Sequence, residues 1–187
     1  SLTGTPINAE VGSHAVVLRV TDGTTPVTQT FAIVVTNTND APSFTSAAVT
    51  AATEDAPYTY TITTTDPDVG ATLTLTAPTL PAWLAFTPGA NGGGTLSGTP
   101  SNANVGTHAV VLSVTDGTAS IQQSFTITVT NSNDAPTFTS TAPTSVFAAN
   151  LYSYAITTAD VDVGDTRTIT SFALPTWLML TDNGDGT

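Results

Sequence analysis

The sequence predicts an all-β chain built from tandem β-sandwich repeats with a period of 94 residues. Three observations support this prediction. Hydrophobic residues make up 40% of the chain and charged residues only 9%, with many Thr, Val, Ala, Gly and Pro, which suits short strands and tight turns. Apolar and polar residues alternate with a period of two, as in half-buried strands. Long stretches also recur at one fixed spacing, which is typical of a repeat protein.

The repeat is visible in two long matches. The segment "LTGTPINAEVGSHAVVLRVTDG" at 2–23 returns as "LSGTPSNANVGTHAVVLSVTDG" at 96–117. The segment "YTYTITTTDPDVG" at 58–70 returns as "YSYAITTADVDVG" at 152–164. Both matches are displaced by 94 positions, so a single repeat unit explains them.

The spacing predicts one complete repeat and two partial ones. Residues 39–132 form the complete repeat, residues 1–38 are the C-terminal half of one repeat, and residues 133–187 are the N-terminal half of the next. Half a sandwich exposes strand edges and apolar faces and is not expected to be stable alone. We therefore expect residues 1–38 to be completed by the 133–187 part of a neighbouring unit, either in the same long polypeptide or in another copy in a filament.

Four segments of the complete repeat alternate as strands with one face in a core. The residues on the predicted core faces are, in chain order, Tyr58, Tyr60, Ile62, Leu73, Leu75, Val110, Leu112, Val114, Phe125, Ile127 and Val129. Turn-forming stretches such as "DPDVG", "TPGANGGG" and "TDGTAS" separate the segments. About seven short strands in a repeat of this length are typical of an immunoglobulin-like sandwich.

Charge and composition exclude several classes of function. The net charge is −12, and Arg19 and Arg167 are the only strongly basic residues, so binding to nucleic acid or to an anionic membrane surface is disfavoured. No apolar run approaches the roughly 18 residues of a spanning helix. No signal-like segment opens the sequence, so an export signal is expected outside it. Cysteine is absent, which leaves oxygen-bound ions such as calcium as the metal chemistry available.

No catalytic constellation is evident, and an enzyme is not expected. The chain lacks a G-x-S-x-G elbow, and its paired carboxylates recur in turns at the repeat period instead of marking one cleft. His14 and His108 are equivalent in the repeat and have no second His or Cys nearby in sequence, which favours a structural role. Trp83 and Trp177 are also equivalent, and their apolar neighbours favour a core position over a sugar-stacking platform.

Several motifs together resemble those of cadherins. The segments "VTNTNDAPSF" and "VTNSNDAPTF" resemble the cadherin inter-domain linker D-x-N-D-N-A-P-x-F, "DPDVG" resembles the D-x-D-x-G loop, and "VTDG" resembles the A-x-D-G segment. The block from "LPAWLAF" to "VLSVTDG" is similar to bacterial cadherin-like and "putative Ig" repeats related to the dystroglycan-type cadherin domain. The resemblance covers essentially the whole chain.

The resemblance implies calcium sites between successive domains. At the first junction the implied ligands are Glu10, Asn37, Asn39, Asp40, Asp66, Asp68 and Asp116. At the second junction they are Glu54, Asn131, Asn133, Asp134, Asp160 and Asp162. The linkers lack the first Asp and the second Asn of the cadherin pattern, and Asn102 and Asn104 stand where cadherins carry acids, so one ion per junction is favoured over three. The alternative is that these are ordinary turn residues flanking a metal-free linker.

The predicted function is structural. We expect a segment of an extracellular, cell-surface, bacterial adhesin, stalk or filament, stiffened by calcium at its junctions and able to self-assemble. Its expected partners are neighbouring copies or repeats of the same protein, with surface glycans or cell-surface proteins as further candidates. The alternative is a carbohydrate-binding module of a secreted multidomain protein, which predicts exposed aromatic residues on one sheet face.

Overall fold

The computed structural model describes all residues, 1–187, and its regular structure is almost entirely β, which confirms the predicted all-β class. The strands of the complete repeat are β3 (Ser43–Phe44), β4 (Ala51–Thr53), β5 (Tyr58–Ile62), β6 (Thr64–Thr65), β7 (Thr74–Thr79), β8 (Leu84–Pro88), β9 (Gly94–Gly98), β10 (Gly106–Thr115) and β11 (Ser120–Thr130). The flanking strands are β1 (Gly12–Thr21), β2 (Pro26–Val35), β12 (Thr137–Phe138) and β13 (Thr158–Ala159). Two short 3-10 helices span Asn8–Glu10 and Asn102–Asn104.

The complete repeat is a sandwich of two main sheets. One sheet has the order β4-β11-β10-β7 and the other has the order β5-β9-β8, with a short separate pair formed by β3 and β6. β4 runs parallel to β11, whereas the other pairs within the repeat are antiparallel. This parallel pair brings the start of the repeat beside its last strand.

The core lies between these two sheets. Its twelve buried hydrophobic residues are Tyr58, Tyr60, Ile62, Leu73, Leu75, Leu84, Leu96, Val110, Leu112, Val114, Ile127 and Val129. The alternating residues predicted to face the core are buried there, except for Phe125, which is half-buried and packs against the cluster. Tyr58 donates a hydrogen bond to the Val49 carbonyl oxygen (2.7 Å) and Tyr60 donates one to Gln123 Oε1 (2.9 Å), so the phenol groups are satisfied within the sandwich.

The flanking segments repeat parts of this architecture without a comparable core. The hairpin β1–β2 has the register Gly12↔Val35, and β10–β11 has the register Gly106↔Val129, which is the same pairing 94 positions later. Ile169 is the one buried hydrophobic residue outside the central cluster. The structure contains no helix with the length and apolar character that a membrane crossing requires.

Candidate metal centre

Glu54 lies at the second junction because of the parallel pair between β4 and β11. The backbone N–H of Glu54 donates to the carbonyl oxygen of Thr130 (3.0 Å), the last residue of β11. The next residue, Asp55, donates its N–H to the carbonyl oxygen of Pro100 (2.8 Å). These two bonds hold the Glu54 side chain beside the point where the chain leaves the sandwich and enters the linker.

Three carboxylates converge at this junction. Glu54 comes from the complete repeat, Asp134 from the linker and Asp162 from the following segment, and one oxygen of each lies within 4.8 Å of the others. Glu54 is 2% exposed and Asp162 is 5% exposed. Like charges held this close in a buried setting repel one another. The arrangement therefore favours a bound cation.

Asp162 is also the hydrogen-bonding centre of the junction. Its Oδ2 accepts from the backbone N–H of Asp134 (2.6 Å), and its Oδ1 accepts from the side-chain amides of Asn131 (3.0 Å) and Asn102 (3.1 Å). The N–H of Asp134, followed by the amide of Asn131, lowers the pKa of the Asp162 carboxyl. Asp162 is therefore held ionised by groups from both sides of the junction.

Glu54 has the opposite environment. Both of its carboxylate oxygens are buried and have no hydrogen-bond partner. Burial raises the pKa of Glu54, and the negative charges of Asp134 and Asp162 raise it further. An unpaired buried carboxylate is costly unless a positive charge compensates it. The candidate metal ligands of Glu54, Asp134 and Asp162 are all carboxylate oxygens, and such ligands fit a hard divalent cation such as calcium.

A second carboxylate group adjoins the first and includes one residue that the sequence analysis missed. Asp160, Asp162 and Asp165 form this group, with oxygens within 4.8 Å of one another. The N–H of Asp162 donates to Asp160 Oδ1 (3.0 Å). Asp165 was missed because the motif used to find the loop ends at the glycine before it. The corresponding position in the complete repeat is Ala71, so the repeat comparison gave no signal either.

The first junction is linked by hydrogen bonds without a comparable carboxylate group. Asp68 Oδ2 accepts from the backbone N–H of Asp40 (2.8 Å), and Asp40 Oδ2 accepts from the amide of Asn8 (2.6 Å). Asp116 Oδ2 accepts from the amide of Asn39 (3.0 Å). These contacts dock the linker onto two loops of the complete repeat.

Two further oxygens at the first junction have no partner. Asp66 Oδ2 and Asp68 Oδ1 are buried without a hydrogen bond, and the N–H of Asp68 donates to Asp66 Oδ1 (2.8 Å). The backbone N–H groups of Ala119 and Thr118 lower the pKa of Asp116 by bonding its other oxygen. The first junction therefore offers carboxylate oxygens as well, although fewer of them converge.

Three predicted ligands belong to neither carboxylate group and make no side-chain hydrogen bond to a junction carboxylate. Glu10 is exposed, and its Oε2 accepts from the N–H of Ile7 (2.9 Å), so it stabilises its own 3-10 turn. Asn37 is exposed and makes no side-chain hydrogen bond, and Asn133 donates to the carbonyl oxygen of Asp134 within the linker (2.8 Å). The structure does not bring these three side chains into a carboxylate cluster.

Two asparagines contribute where the sequence analysis did not place them. Asn8 and Asn102 occupy equivalent positions in the two 3-10 turns and donate to junction aspartates. Asn102 stands where the cadherin pattern carries an acid, and the structure gives it a role as a hydrogen-bond donor to Asp162. The recurrence of Asn at this position in both turns was the signal that could have identified the pair.

The tryptophan and histidine positions agree with structural roles in the complete repeat. Trp83 packs edge-on against Tyr58 (5.7 Å between ring centroids) and His108 (5.8 Å) and is half-buried against the core. His108 Nε2 lies 2.6 Å from the carbonyl oxygen of Asn104. Trp177 differs, because it is 64% exposed.

The fold defines the class of protein, an immunoglobulin-like β-sandwich repeat. Residues 41–130 match the family described as "Putative Ig domain". Among curated proteins, no sequence matches the chain.

Three solved structures illustrate the range of likeness. Human protocadherin-24 EC1-2 is 20% identical, with 71% of this chain and 69% of that chain covered and a TM-score of 0.44. The SrpA adhesin from Streptococcus sanguinis is 12% identical, with 60% and 71% covered and a TM-score of 0.43. The endo-fucoidan hydrolase MfFcnA4 from glycoside hydrolase family 107 is 26% identical, with 73% of this chain but only 22% of that chain covered and a TM-score of 0.45. This chain thus spans less than a quarter of the hydrolase, and none of these likenesses assigns an activity to it.

Proposed function

We propose that this chain is a structural segment of an extracellular adhesin, stalk or filament, in which calcium stiffens the junction between consecutive immunoglobulin-like repeats. The observation that supports this most is the buried Glu54 carboxylate, which has no hydrogen-bond partner and lies within 4.8 Å of linker Asp134 and of Asp162 beyond the linker. Neighbouring repeats are the partners that this function requires.

The arrangement explains how a cation would stiffen the junction. Glu54, Asp134 and Asp162 come from three different parts of the chain, so a cation that binds all three stabilises only the orientation that brings them together. Without the cation, their mutual repulsion favours other orientations of the linker. Cation binding and junction rigidity are therefore coupled.

The number of charged ligands suits a weak site. Ligand charge and count set calcium affinity, and extracellular calcium modules work with dissociation constants of about 10⁻⁴–10⁻³ M. At the second junction Asn102 and Asn131 donate their amide N–H groups to Asp162, so the candidate ligand oxygens are those of a few carboxylates. A site of this kind is filled in a calcium-rich extracellular medium, which supports the proposed location.

The carbohydrate-binding alternative has no comparable support. It requires aromatic side chains displayed on one sheet face, whereas Trp83 of the complete repeat packs against Tyr58 and His108.

Calorimetric titration of the chain with calcium chloride tests the proposal. We expect saturable binding that Glu54→Gln weakens by roughly tenfold or more, because the substitution removes a charged ligand and preserves the shape of the side chain. Glu10→Gln is the matched control, since Glu10 is an exposed glutamate bound to its own turn, and it should leave this binding unchanged. No calcium uptake, or equal binding by all three proteins, would overturn the proposal.

A further inference from the structure

The two 3-10 turns, Asn8–Glu10 and Asn102–Asn104, are closed in the same way although they lie 94 positions apart. The side chain of the last residue of each turn accepts a hydrogen bond from the backbone N–H of the residue before the turn, at 2.9 Å in both. The accepting group is a carboxylate in the first turn and an amide oxygen in the second. The shape of the turn is therefore retained where its charge is not.

A histidine holds each turn from outside. His108 Nε2 lies 2.6 Å from the carbonyl oxygen of Asn104, and His14 Nε2 lies 2.6 Å from that of Glu10. Because a carbonyl oxygen can only accept, Nε2 of each ring carries the proton and donates it to this bond. The carbonyl that accepts is one of those that the end of a helix leaves without an internal partner. The histidine therefore satisfies the end of the turn and fixes its position.

The second turn is tied to the folded sandwich at both ends. The ring of His108 packs edge-on against Trp83 (5.8 Å between ring centroids), and Trp83 packs edge-on against the core residue Tyr58 (5.7 Å). Before the turn, the carbonyl oxygen of Pro100 accepts from the backbone N–H of Asp55 (2.8 Å). The turn Asn102–Asn104 is therefore held by the complete repeat on either side.

The first residue of each turn donates its side-chain amide to a junction aspartate. Asn102 Nδ2 donates to Asp162 Oδ1 (3.1 Å), and Asn8 Nδ2 donates to Asp40 Oδ2 (2.6 Å). Asp162 is 5% exposed and lies 60 positions after Asn102, beyond the linker. Asn102 thus connects the complete repeat directly to the segment that follows it, and this contact contains no metal ion.

The contact opposes the repulsion among the junction carboxylates. Glu54, Asp134 and Asp162 repel one another when the junction is closed, whereas the bond from Asn102 to Asp162 forms only when it is closed. A hydrogen bond to an ionised acceptor is among the stronger ones in proteins. When the arrangement that binds a ligand is only partly populated, the apparent affinity falls by that fraction. A contact that raises the closed fraction therefore tightens cation binding without touching the cation.

We propose that Asn102 is a metal-independent clamp on the second junction, and that His108 is the positioning residue that holds the turn carrying it. The clamp populates the closed junction before a cation binds and so prepares the carboxylate group to receive one. This inference rests on the repeat junction of the proposed function, although the clamp itself closes without a cation.

Amide hydrogen exchange measured by NMR in chelator tests the clamp. The backbone N–H of Asp134 donates to Asp162 Oδ2 (2.6 Å), so its exchange rate reports how often the second junction opens. Asn102→Ala should speed this exchange by about tenfold or more, the order expected for the loss of a hydrogen bond to a charged group. An exchange rate at Asp134 that Asn102→Ala leaves unchanged would overturn the proposal.

Asn8→Ala is the matched variant at the first junction. There the backbone N–H of Asp40 donates to Asp68 Oδ2 (2.8 Å), so it reports on the first linker as Asp134 reports on the second. Asn8→Ala should speed exchange at Asp40 and leave Asp134 unchanged, and Asn102→Ala should do the reverse. Faster exchange at both reporters in either variant would show general loosening of the fold and would contradict a local clamp.

Two substitutions of His108 separate positioning from packing. His108→Phe keeps an aromatic ring against Trp83 but cannot donate to the Asn104 carbonyl oxygen, whereas His108→Gln keeps an N–H group near the position of Nε2. We expect faster exchange at Asp134 in His108→Phe and a rate close to that of the unaltered chain in His108→Gln. The opposite order would show that the ring acts only by packing and would overturn the positioning role.

Calorimetric titration with calcium chloride separates this inference from the proposed function. Asn102→Ala should weaken calcium binding several-fold, because it lowers the closed fraction. Equal affinity of the variant and the unaltered chain would overturn the preparatory role of the clamp. No calcium uptake by the unaltered chain would instead defeat the cation site, while faster exchange at Asp134 in Asn102→Ala would still support the clamp.

Discussion

The substitution Leu96→Ala measures how far the cooperative core extends. Leu96 is 0% exposed and lies on β9 between Tyr60 of β5 and Phe86 of β8. Truncating a fully buried leucine to alanine costs about 2–5 kcal/mol, from lost apolar burial and from the cavity left behind. For a domain of this size, a loss of about 3 kcal/mol lowers the Tm by roughly 12–24 °C.

Leu2→Ala is the matched control, because Leu2 precedes the same Gly-Thr-Pro motif and is 62% exposed. In dilute chelated solution it should change the free energy of unfolding by less than about 0.5 kcal/mol, as is usual for exposed sites. Differential scanning calorimetry of both variants gives the comparison. Equal decreases in Tm would mean that Leu2 is already buried in the dilute chain, and would refute the view that the stable core is confined to residues 39–132.

Three further predictions concern the junction and the turns. In chelator, Glu54→Gln should raise the Tm at pH values above the raised pKa of Glu54, because the substitution removes a buried negative charge. This gain in Tm should disappear as the pH falls below 4.5, the ordinary pKa of a glutamate. In saturating calcium the same substitution should lower the Tm instead. Asp22 accepts hydrogen bonds from backbone N–H groups, above all from that of Thr25, and these bonds lower its pKa to about 2. A carboxyl NMR titration of Asp22 with a midpoint near 3.8 would show that this turn does not form. Gly117, at φ 96°, lies in the β10–β11 turn, so Gly117→Ala should cost about 1–2 kcal/mol in the main unfolding transition. Gly23→Ala, at φ 102° in the hairpin outside the core, should leave that transition in place, and equal shifts would contradict this assignment.

Much of the complete repeat could be predicted because its signals are local. The alternation of Tyr58, Tyr60 and Ile62 specifies a strand with one buried face, and the structure buries all three. The junction residues Asp134 and Asp162 came from the cadherin resemblance, and the structure places them together with Glu54.

The structure places Glu10 and Trp177 differently from the prediction, because each side chain has more than one set of possible contacts and the sequence does not show which set forms. Glu10 could reach the junction or bond a nearby N–H, and the short local bond to Ile7 prevails in the structure. Trp83 and Trp177 occupy the same position in the repeat, but their burial depends on segments distant in sequence. The contact of Asn102 with Asp162 joins residues 60 positions apart, so no local pattern in the sequence indicates it.

Small-angle scattering of the dilute chain, recorded with calcium and with chelator, tests the calcium-stiffened junction most directly. Calcium should narrow the distribution of interatomic distances and reduce the signature of flexibility in the unaltered chain, and Glu54→Gln should abolish most of this change. Identical curves with calcium and with chelator would contradict the account and leave the repeat as a spacer whose junctions are independent of metal.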